Sequence, residues 1–423
     1  MQPDSSINII SSTQRITDRR PDSVDLWETA HTLGFPAALW RLPNQRDKHL
    51  IVSFEKVLPR VAADLDELPA GFLISPFDNL NTDTQSPDQT LFLRADLQAI
   101  FSAENQADVK AVSGEMTDRF WQAWHSLPKP QPEQPSNSEM LTVLSDAGAE
   151  ALYVRNVAEA VEAMQRGEFR KVVLSRTKQV QFANVPNAVT LFDKLCQAYP
   201  TAFVSAVSIP EKGQIWISAT PERLVSIDAD GIFRTASLAG TQSAFEPDGT
   251  PKRPPEAMWS QKEIEEQALV NRYIIECFKK IRLREYVEEG PKTIIAGNLM
   301  HLSTFFTVDT QAVRYPQLGT VMLRLLHPTA AVCGTPRDVA FRFINRHETH
   351  DRELYSGFLG PVNIDTTTEG AASNLFVHIR CMKLEGRLAT LYAGAGLTED
   401  SVPEREWQET EMKCQTLLSV ISK

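Results

Sequence analysis

Carboxylates recur in this chain at a spacing that sets them side by side. In YAGAGLTEDSVPEREWQETEMK, from Tyr392 to Lys413, Glu406 and Glu409 lie three apart and share one helical face. The segment SQKEIEEQ at 260–267 repeats the arrangement with Glu263 and Glu266. Two helices that each offer a Glu-x-x-Glu pair could close on a hard divalent cation, because Mg²⁺ takes a few carboxylates and keeps its other positions for water or substrate oxygens. Spacing alone also fits a solvated first turn, where Glu complements the helix dipole. Both helices carry start signals: Ser260 with Glu263, and Ser401 with Glu404, each read as a capping box. Ahead of the second helix, Gly394 and Gly396 read as a loop without Cβ bulk, where backbone can approach a ligand.

Four other stretches hold reactive types. In FRKVVLSR, Lys171 opens an otherwise apolar strand; a lysine there either snorkels to water or serves a site. In ATPERLVS, Glu222 follows a proline beside a strand, a setting that can bury a carboxyl group and raise its pKa. In LHPTAAVCGTPRDVAFRF, Thr335 reads as an N-cap with Pro336 in the first turn and Asp338 at the box position. Gly334 would then sit where backbone N–H groups at a helix N-terminus hold an anion. In FVHIRC, Arg380 interrupts a strand, either as an outward charge or as a carboxylate clamp.

The elements that must position these groups follow from pattern and punctuation. The chain has 423 residues, 42% hydrophobic and 23% charged, as in a soluble globular protein of one large domain or a few ordinary ones. A net charge of -11 argues against a nucleic-acid or anionic-membrane surface, so an anionic substrate needs a local cationic site. Five scattered cysteines without CxxC read as a reduced, cytoplasmic chain, and no apolar run predicts a membrane span or a secretion signal. Strand-like runs are HLIVSF (49–54), GFLISPF (71–77) and TLFLRADL (90–97), with an amphipathic helix expected over 102–125. LPKPQPEQPSNSE (127–139) reads as a Pro-rich linker, dividing an N-terminal part, 1–126, from a catalytic region, 140–423.

Beyond the linker, a helix is expected over 146–167, then strands at 171–182, 202–209, 213–219, 222–227 and 232–240, and a loop over 246–255. A long helix from Ser260 would bury Ile264, Ala268, Val270, Ile274, Ile275, Phe278 and Ile281. Strands at 292–297 and 373–395 bracket helices near 317–326 and 336–346. Strands in runs, without strict βαβ alternation, predict an α+β fold with antiparallel sheet.

Taken in order, KVVLSR, ATPERL, SLAGT (237–241), SQKEIEEQ, HLST (301–304), LHPTAAVCGTP, DRELYSG (351–357), FVHIR, YAGAG and EREWQETEMK form a series. That series closely resembles the chorismate-utilising enzymes: isochorismate synthase, salicylate synthase, and the large subunits of anthranilate and aminodeoxychorismate synthases. The resemblance covers about residues 150–423 strongly and the N-terminal third only through GFLISPF. It implies a large antiparallel β-sheet sandwich ringed by helices, with the N-terminal part completing the same fold. Lys171 occupies the position of the base that activates water, which the ammonia-using members generally lack. Ala331 and Val332 in HPTAAVCG resemble the small-then-aliphatic pair of isochorismate synthases, where the other members tend to carry Thr or Ser first. Both features resemble isochorismate synthase.

By the same resemblance, Glu266 and Glu409 hold Mg²⁺, with Glu263 and Glu406 as neighbours that keep its waters. Lys171 deprotonates water for attack at C2 of chorismate, and Glu222 protonates the departing C4 hydroxyl. Arg380 and Tyr355 bind the enolpyruvyl carboxylate. Lys413 and the backbone of Gly394 and Gly396 complete the anion cradle, and His301 and Thr241 lie against the ring. An ordinary lysine, with a pKa near 10.4, is neutral in roughly one molecule per 10³ at pH 7, so a base role asks for burial and nearby positive charge. An acid role asks the opposite of Glu222, an apolar setting, and together the two predict a bell-shaped pH–rate profile.

The partner implied is chorismate, with a downstream enzyme that consumes isochorismate; a monomer would suffice. The rival readings are a salicylate synthase, which adds pyruvate elimination, an aminating synthase component, and a catalytically silent binding subunit. Two positions depart from the pattern: Gln267 where relatives often have His, and Ser237 where they often have Pro.

Overall fold

The strands AFVSAVSI and GQIWISA become neighbours, Phe203–Ile209 and Gln214–Thr220, in antiparallel register with Val204 opposite Ala219 and Ala206 opposite Ile217. Every residue of the first is buried, because both faces are covered. Val204 and Ala206 point to a helical layer, while Phe203, Val207 and Ile209 point to a second sheet. The computed structural model, which describes residues 20–78, 89–102, 107–127, 141–246, 248–296, 299–366 and 370–422, is thus a sandwich of two antiparallel sheets. Phe203 and Phe376 stack across the interface with centroids 4.1 Å apart.

One sheet runs from Lys171–Phe182 through Leu388–Leu397, Cys381–Glu385, Gln214–Thr220 and Phe203–Ile209 to Ala37–Arg41, Lys48–Val52, Leu97–Phe101 and Ala107–Ala111. The other runs from Val287–Ala296 and Leu299–Asp309 through Ile232–Ser243, Arg223–Ile227, Gly370–Val377 and Phe358–Val362 to Gly71–Ser75 and Thr90–Arg94. Strands from before residue 112 therefore pair directly with strands from after residue 200 in both sheets. Helices Ser23–Leu33, Glu115–Ser126, Ala188–Ala198 and Pro403–Ile421 cover the outer face of the first sheet through Leu26, Phe120, Phe192 and Leu417. Gln261–Lys280 and Leu318–Leu326 cover the second. The fold is α+β, and no helix among the described residues is long and apolar enough to cross a membrane.

Several local expectations are corrected. The helix expected over 102–125 starts only at Glu115, and Ala107–Ala111 is a mostly exposed edge strand whose alternation, Ala107, Val109 and Ala111 against Asp108 and Lys110, is short and built on small side chains. The run 373–395 is three strands, and 292–297 belongs to a longer hairpin, Val287–Ala296 with Leu299–Asp309. Ala37–Arg41 is a further strand and Ala188–Ala198 a further helix, beyond those expected. On Gln261–Lys280 the buried face is Gln267, Val270, Ile274, Cys277 and Phe278, whereas Ile264 and Ala268 face outward. The proline-rich stretch lies almost wholly outside the described residues.

Candidate active site

Two chain crossings between the sheets define the site. After Gln214–Thr220 the chain leaves the first sheet, passes Pro221 and Glu222, and enters the second as Arg223–Ile227. After Gly370–Val377 it returns through His378 and Arg380 to Cys381–Glu385. The crossings run together: Thr220 Oγ1 donates to Val377 O (2.7 Å), Val377 N to Glu222 O (2.9 Å), and Ala219 N to Arg380 O (3.0 Å). Side chains at a crossing cannot join either sheet's alternation, so Glu222 and Arg380 line the cavity beside it. Arg380 adopts φ +49, a left-handed conformation that costs a non-glycine residue free energy and needs surrounding support.

The cavity is also lined by Thr241, Glu266, His301, Ala331, Val332, Tyr355, Gly394, Gly396 and Lys413. Lys171, fully enclosed, sits directly behind it: its Nζ lies 3.0 Å from Glu266 Oε1, at an angle that gives no hydrogen bond. Gly394 and Gly396 belong to the strand Leu388–Leu397, opposite Ser175 and Val173, and are not a loop. Their lack of a Cβ has a specific use. A Cβ at Gly396 would meet Glu266 Oε1 at 2.1 Å, and one at Gly394 would meet the Tyr355 hydroxyl at 2.8 Å.

Charge is unevenly compensated here. Burial raises the Glu222 carboxyl to about 7, against the pull of Lys171, Arg380 and Lys413, so it holds a proton near neutrality. Burial would also raise Glu266, but Lys171, Lys262 and Lys413 outweigh it and hold that group below the usual range. Arg380 is 8% exposed and makes no ion pair among the described residues; its Nη2 lies 3.4 Å from His301 Nε2. Burial pushes His301 down to about 3, so it is neutral at physiological pH, with Nδ1 2.8 Å from the Gly240 carbonyl. Nδ1 therefore carries the proton, and Nε2 faces the guanidinium as an acceptor. Burial pushes the Tyr355 hydroxyl to about 12, leaving it a neutral donor. A buried guanidinium with no carboxylate paired to it among the described residues, beside the ammonium of Lys413, forms a receptor for an anionic ligand.

The acidic residues of the two helices are each held by a neighbour. Glu406 is 1% exposed and bonds Lys262, while its Oε2 makes no well-formed hydrogen bond among the described residues; burial and then Glu409 raise it to about 7, with Lys262 and Ser401 opposing. Glu409 bonds Lys413 (2.6 Å), which also donates to Gly394 O (2.7 Å). Glu263 accepts from Ser260 N (2.7 Å), completing the expected capping box. As these side chains stand, no three acidic, His or Cys groups among the described residues are arranged to hold a metal ion. The donor chemistry nevertheless fits a hard divalent cation: Glu266, Glu406 and Glu409 all bear on the Lys262 ammonium, and one enclosed oxygen, Glu406 Oε2, lacks a well-formed hydrogen bond among the described residues.

Two expected caps are corrected. Ser401 does not cap the last helix, which starts at Pro403 with Val402 at the cap position; its hydroxyl instead accepts from Thr398 N (3.1 Å). Thr335 is a strand residue opposite Lys171, and Gly334 pairs with Val172, so Gly334 presents no helix N-terminus to the cavity. A Cβ at Gly334 would meet Lys171 O at 2.2 Å, so its smallness lets the strands close. The residues not foreseen are Lys262, inside the SQKEIEEQ motif, and Tyr392, inside YAGAG. The two departures answer each other: Gln267 Nε2 donates to Ser237 Oγ (2.7 Å) and to Thr304 Oγ1 (3.1 Å), beneath the cavity.

Comparison with known proteins identifies the family and the fold. A family profile described as "Chorismate binding enzyme" matches residues 88–422. The chain is 30% identical over 266 residues to isochorismate synthase EntC of Escherichia coli (strain K12), a match spanning 62% of this chain and 65% of that protein. The solved structure of MenF, the menaquinone-specific isochorismate synthase from Escherichia coli, superposes with a TM-score of 0.72 at 23% identity, covering 95% of this chain and 92% of that one. Anthranilate synthase component I from Streptococcus pneumoniae superposes with a TM-score of 0.63 at 18% identity, covering 97% and 95%. The fold is thus common to relatives with different chemistry, and the profile spans most of the chain. The protein belongs to the chorismate binding enzyme family.

Proposed function

We propose that this protein is an isochorismate synthase, which converts chorismate to isochorismate by adding water at C2 and expelling the C4 hydroxyl. The observation that supports it most is a pair of buried groups of opposite type, Glu222 in the wall of the cavity and Lys171 directly behind Glu266 in the same wall. Lys171 is an enclosed amine, and Glu222 is an enclosed carboxyl raised to about 7. In its neutral amine form Lys171 takes a proton from water, becoming the ammonium, as the water oxygen bonds to C2. The electron pairs of the ring diene shift along the conjugated system, and the C4–O bond breaks. Glu222 gives its proton to that oxygen, which leaves as water. One water enters and one leaves, so no oxidant or carbon carrier is needed, and solvent returns both side chains to their starting protonation.

Arg380 and the Tyr355 hydroxyl bind the enolpyruvyl carboxylate, and Lys413 adds charge to the anion cradle. Ala331 and Val332 form a small apolar wall, with Thr241 and neutral His301 against the ring. Mg²⁺, held by Glu266 and Glu409 with Glu406 and Glu263 beside them, would supply positive charge for the ring carboxylate. The test is to incubate purified protein with chorismate and Mg²⁺, with and without chelator, and to separate the products. Isochorismate that disappears with chelator is the expected result. Pyruvate released without an added lyase would indicate salicylate synthase, and no turnover of chorismate would overturn the reading.

A further inference from the structure

The strand that carries Lys171 has an incomplete edge. On one side Lys171–Phe182 pairs with Leu388–Leu397 over its whole useful length. On the other, Gly334–Thr335 pairs only with Val172 and Lys171, and Leu141–Val143 pairs only with Phe182, Gln181 and Val180. Their continuations reach one bond further, Val173 N donating to Cys333 O (2.9 Å) and Leu144 N to Gln179 O (3.0 Å), but between those bonds, from Val173 O to Gln179 N, no strand among the described residues pairs with this edge. A buried strand edge left this way would strand donors and acceptors away from water.

Two charged side chains stand in for the missing strand. Arg352 Nη2 donates to Val173 O (2.7 Å), and Glu348 Oε1 accepts from Ser175 N (2.6 Å), which are the alternating acceptor and donor a neighbouring strand would meet. Glu348 Oε1 also accepts from Ser175 Oγ (2.9 Å). The pair is joined by two bonds, Nε to Oε2 (2.8 Å) and Nη2 to Oε1 (2.6 Å), with side chains 5% and 4% exposed. Arg352 Nη1 then donates to Val332 O (2.9 Å), in the wall of the cavity, and its backbone carbonyl accepts from Tyr355 N (2.8 Å). One ion pair therefore ties the base-bearing strand, the 331–332 wall and the Tyr355 turn to each other.

We propose that Glu348 and Arg352 are positioning residues: a surrogate strand that fixes where Lys171 stands relative to the wall of the ring pocket. The inference rests on the assignment of Lys171 above, and neither residue lines the cavity or touches substrate. Removing one partner alone would leave a buried charge uncompensated, so the informative variant removes both charges at once. In Glu348→Gln with Arg352→Met, Gln still accepts from Ser175 N, while Val173 O and Val332 O lose their donor.

Wild-type turnover of chorismate is measured first, since its absence refutes the function and not this inference. The double variant should stay folded by circular dichroism and thermal melting, and its kcat should fall by about a hundredfold, the scale expected of a small misplacement of a reacting group. KM should stay within about threefold, because Arg380 and Lys413 are untouched and Tyr355 keeps its backbone bond to residue 352. Amide exchange should rise locally over 171–175. Arg352→Lys, which keeps one donor and the charge, should recover part of kcat. A folded double variant with unchanged kcat, or a kcat loss that only follows the fraction unfolded in both variants, overturns the proposal.

Discussion

Replacing Glu222 by glutamine should make the protein less active and, at alkaline pH, more stable. Glu222 is 4% exposed, and burial raises its pKa from an unperturbed 4.5 to about 7. The folded state therefore binds this proton more tightly than the unfolded chain does. Its contribution to stability is complete below the unfolded value and is lost as pH rises towards the folded one. Across that window the loss is roughly 3 kcal/mol, from 1.36 kcal/mol for each pH unit separating the two values. Glutamine has no proton to lose, so the Glu222→Gln variant escapes the penalty. Denaturant unfolding of both proteins at pH 5 and pH 8 isolates the effect, since other titrating groups cancel in the difference. The variant should gain up to roughly 3 kcal/mol on wild type between those two pH values, while its turnover falls to background. A stability difference that does not change with pH would show that Glu222 is an ordinary carboxylate, and the acid role would go with it. Activity should follow the same group, with the alkaline limb of the wild-type pH–rate profile setting in near pH 7.

Three further outcomes follow from the geometry. Lys171→Ala should abolish turnover while chorismate binding, measured by calorimetry, stays within about threefold of wild type, because uniform binding energy comes from the anion-binding groups; normal turnover would remove Lys171 from the base role. Gly396→Ala puts a methyl group 2.1 Å from Glu266 Oε1, so Glu266 must move; Mg²⁺ affinity by calorimetric titration should drop, and an unchanged affinity would separate Glu266 from the cation. Lys262→Met removes the ammonium that bonds Glu406 and draws on Glu266 and Glu409, so Mg²⁺ should bind about tenfold tighter, and weaker binding would contradict the competition.

What could be read in advance divides along physical lines. The strands Lys171–Phe182 and Phe203–Ile209 announce themselves because β-branched and apolar residues are concentrated in them. The Ser260 capping box is a local device, and local chemistry is legible. Ser401 carries an equally good signature, but Pro403 takes the first helical position and moves the start past it. Asn187 caps Ala188–Ala198 by accepting from Thr190 N, a local signal that the sequence also carries. The edge strand Ala107–Ala111 alternates only over five residues, with two alanines on its inner side and Asp108 and Lys110 facing out, a weak signal suited to ending a sheet.

Other features exist only once the layers meet. Gly394 and Gly396 read as a loop because glycine usually marks one; their real task is to let Glu266 and Tyr355 approach a strand from another part of the chain. Ser237 and Gln267, thirty positions apart, look like unrelated departures until the fold brings them into one hydrogen bond. Glu348 and Arg352 fill a gap in a strand edge that no local pattern could reveal.

The claim that water attacks one ring carbon while the hydroxyl of another departs can be tested with a labelled solvent. Chorismate turned over briefly in ¹⁸O-enriched water with Mg²⁺ should give isochorismate carrying one heavy oxygen, located at the C2 hydroxyl. Isochorismate formed without any label would mean that the hydroxyl migrates within the ring, and Lys171 would have no water to activate.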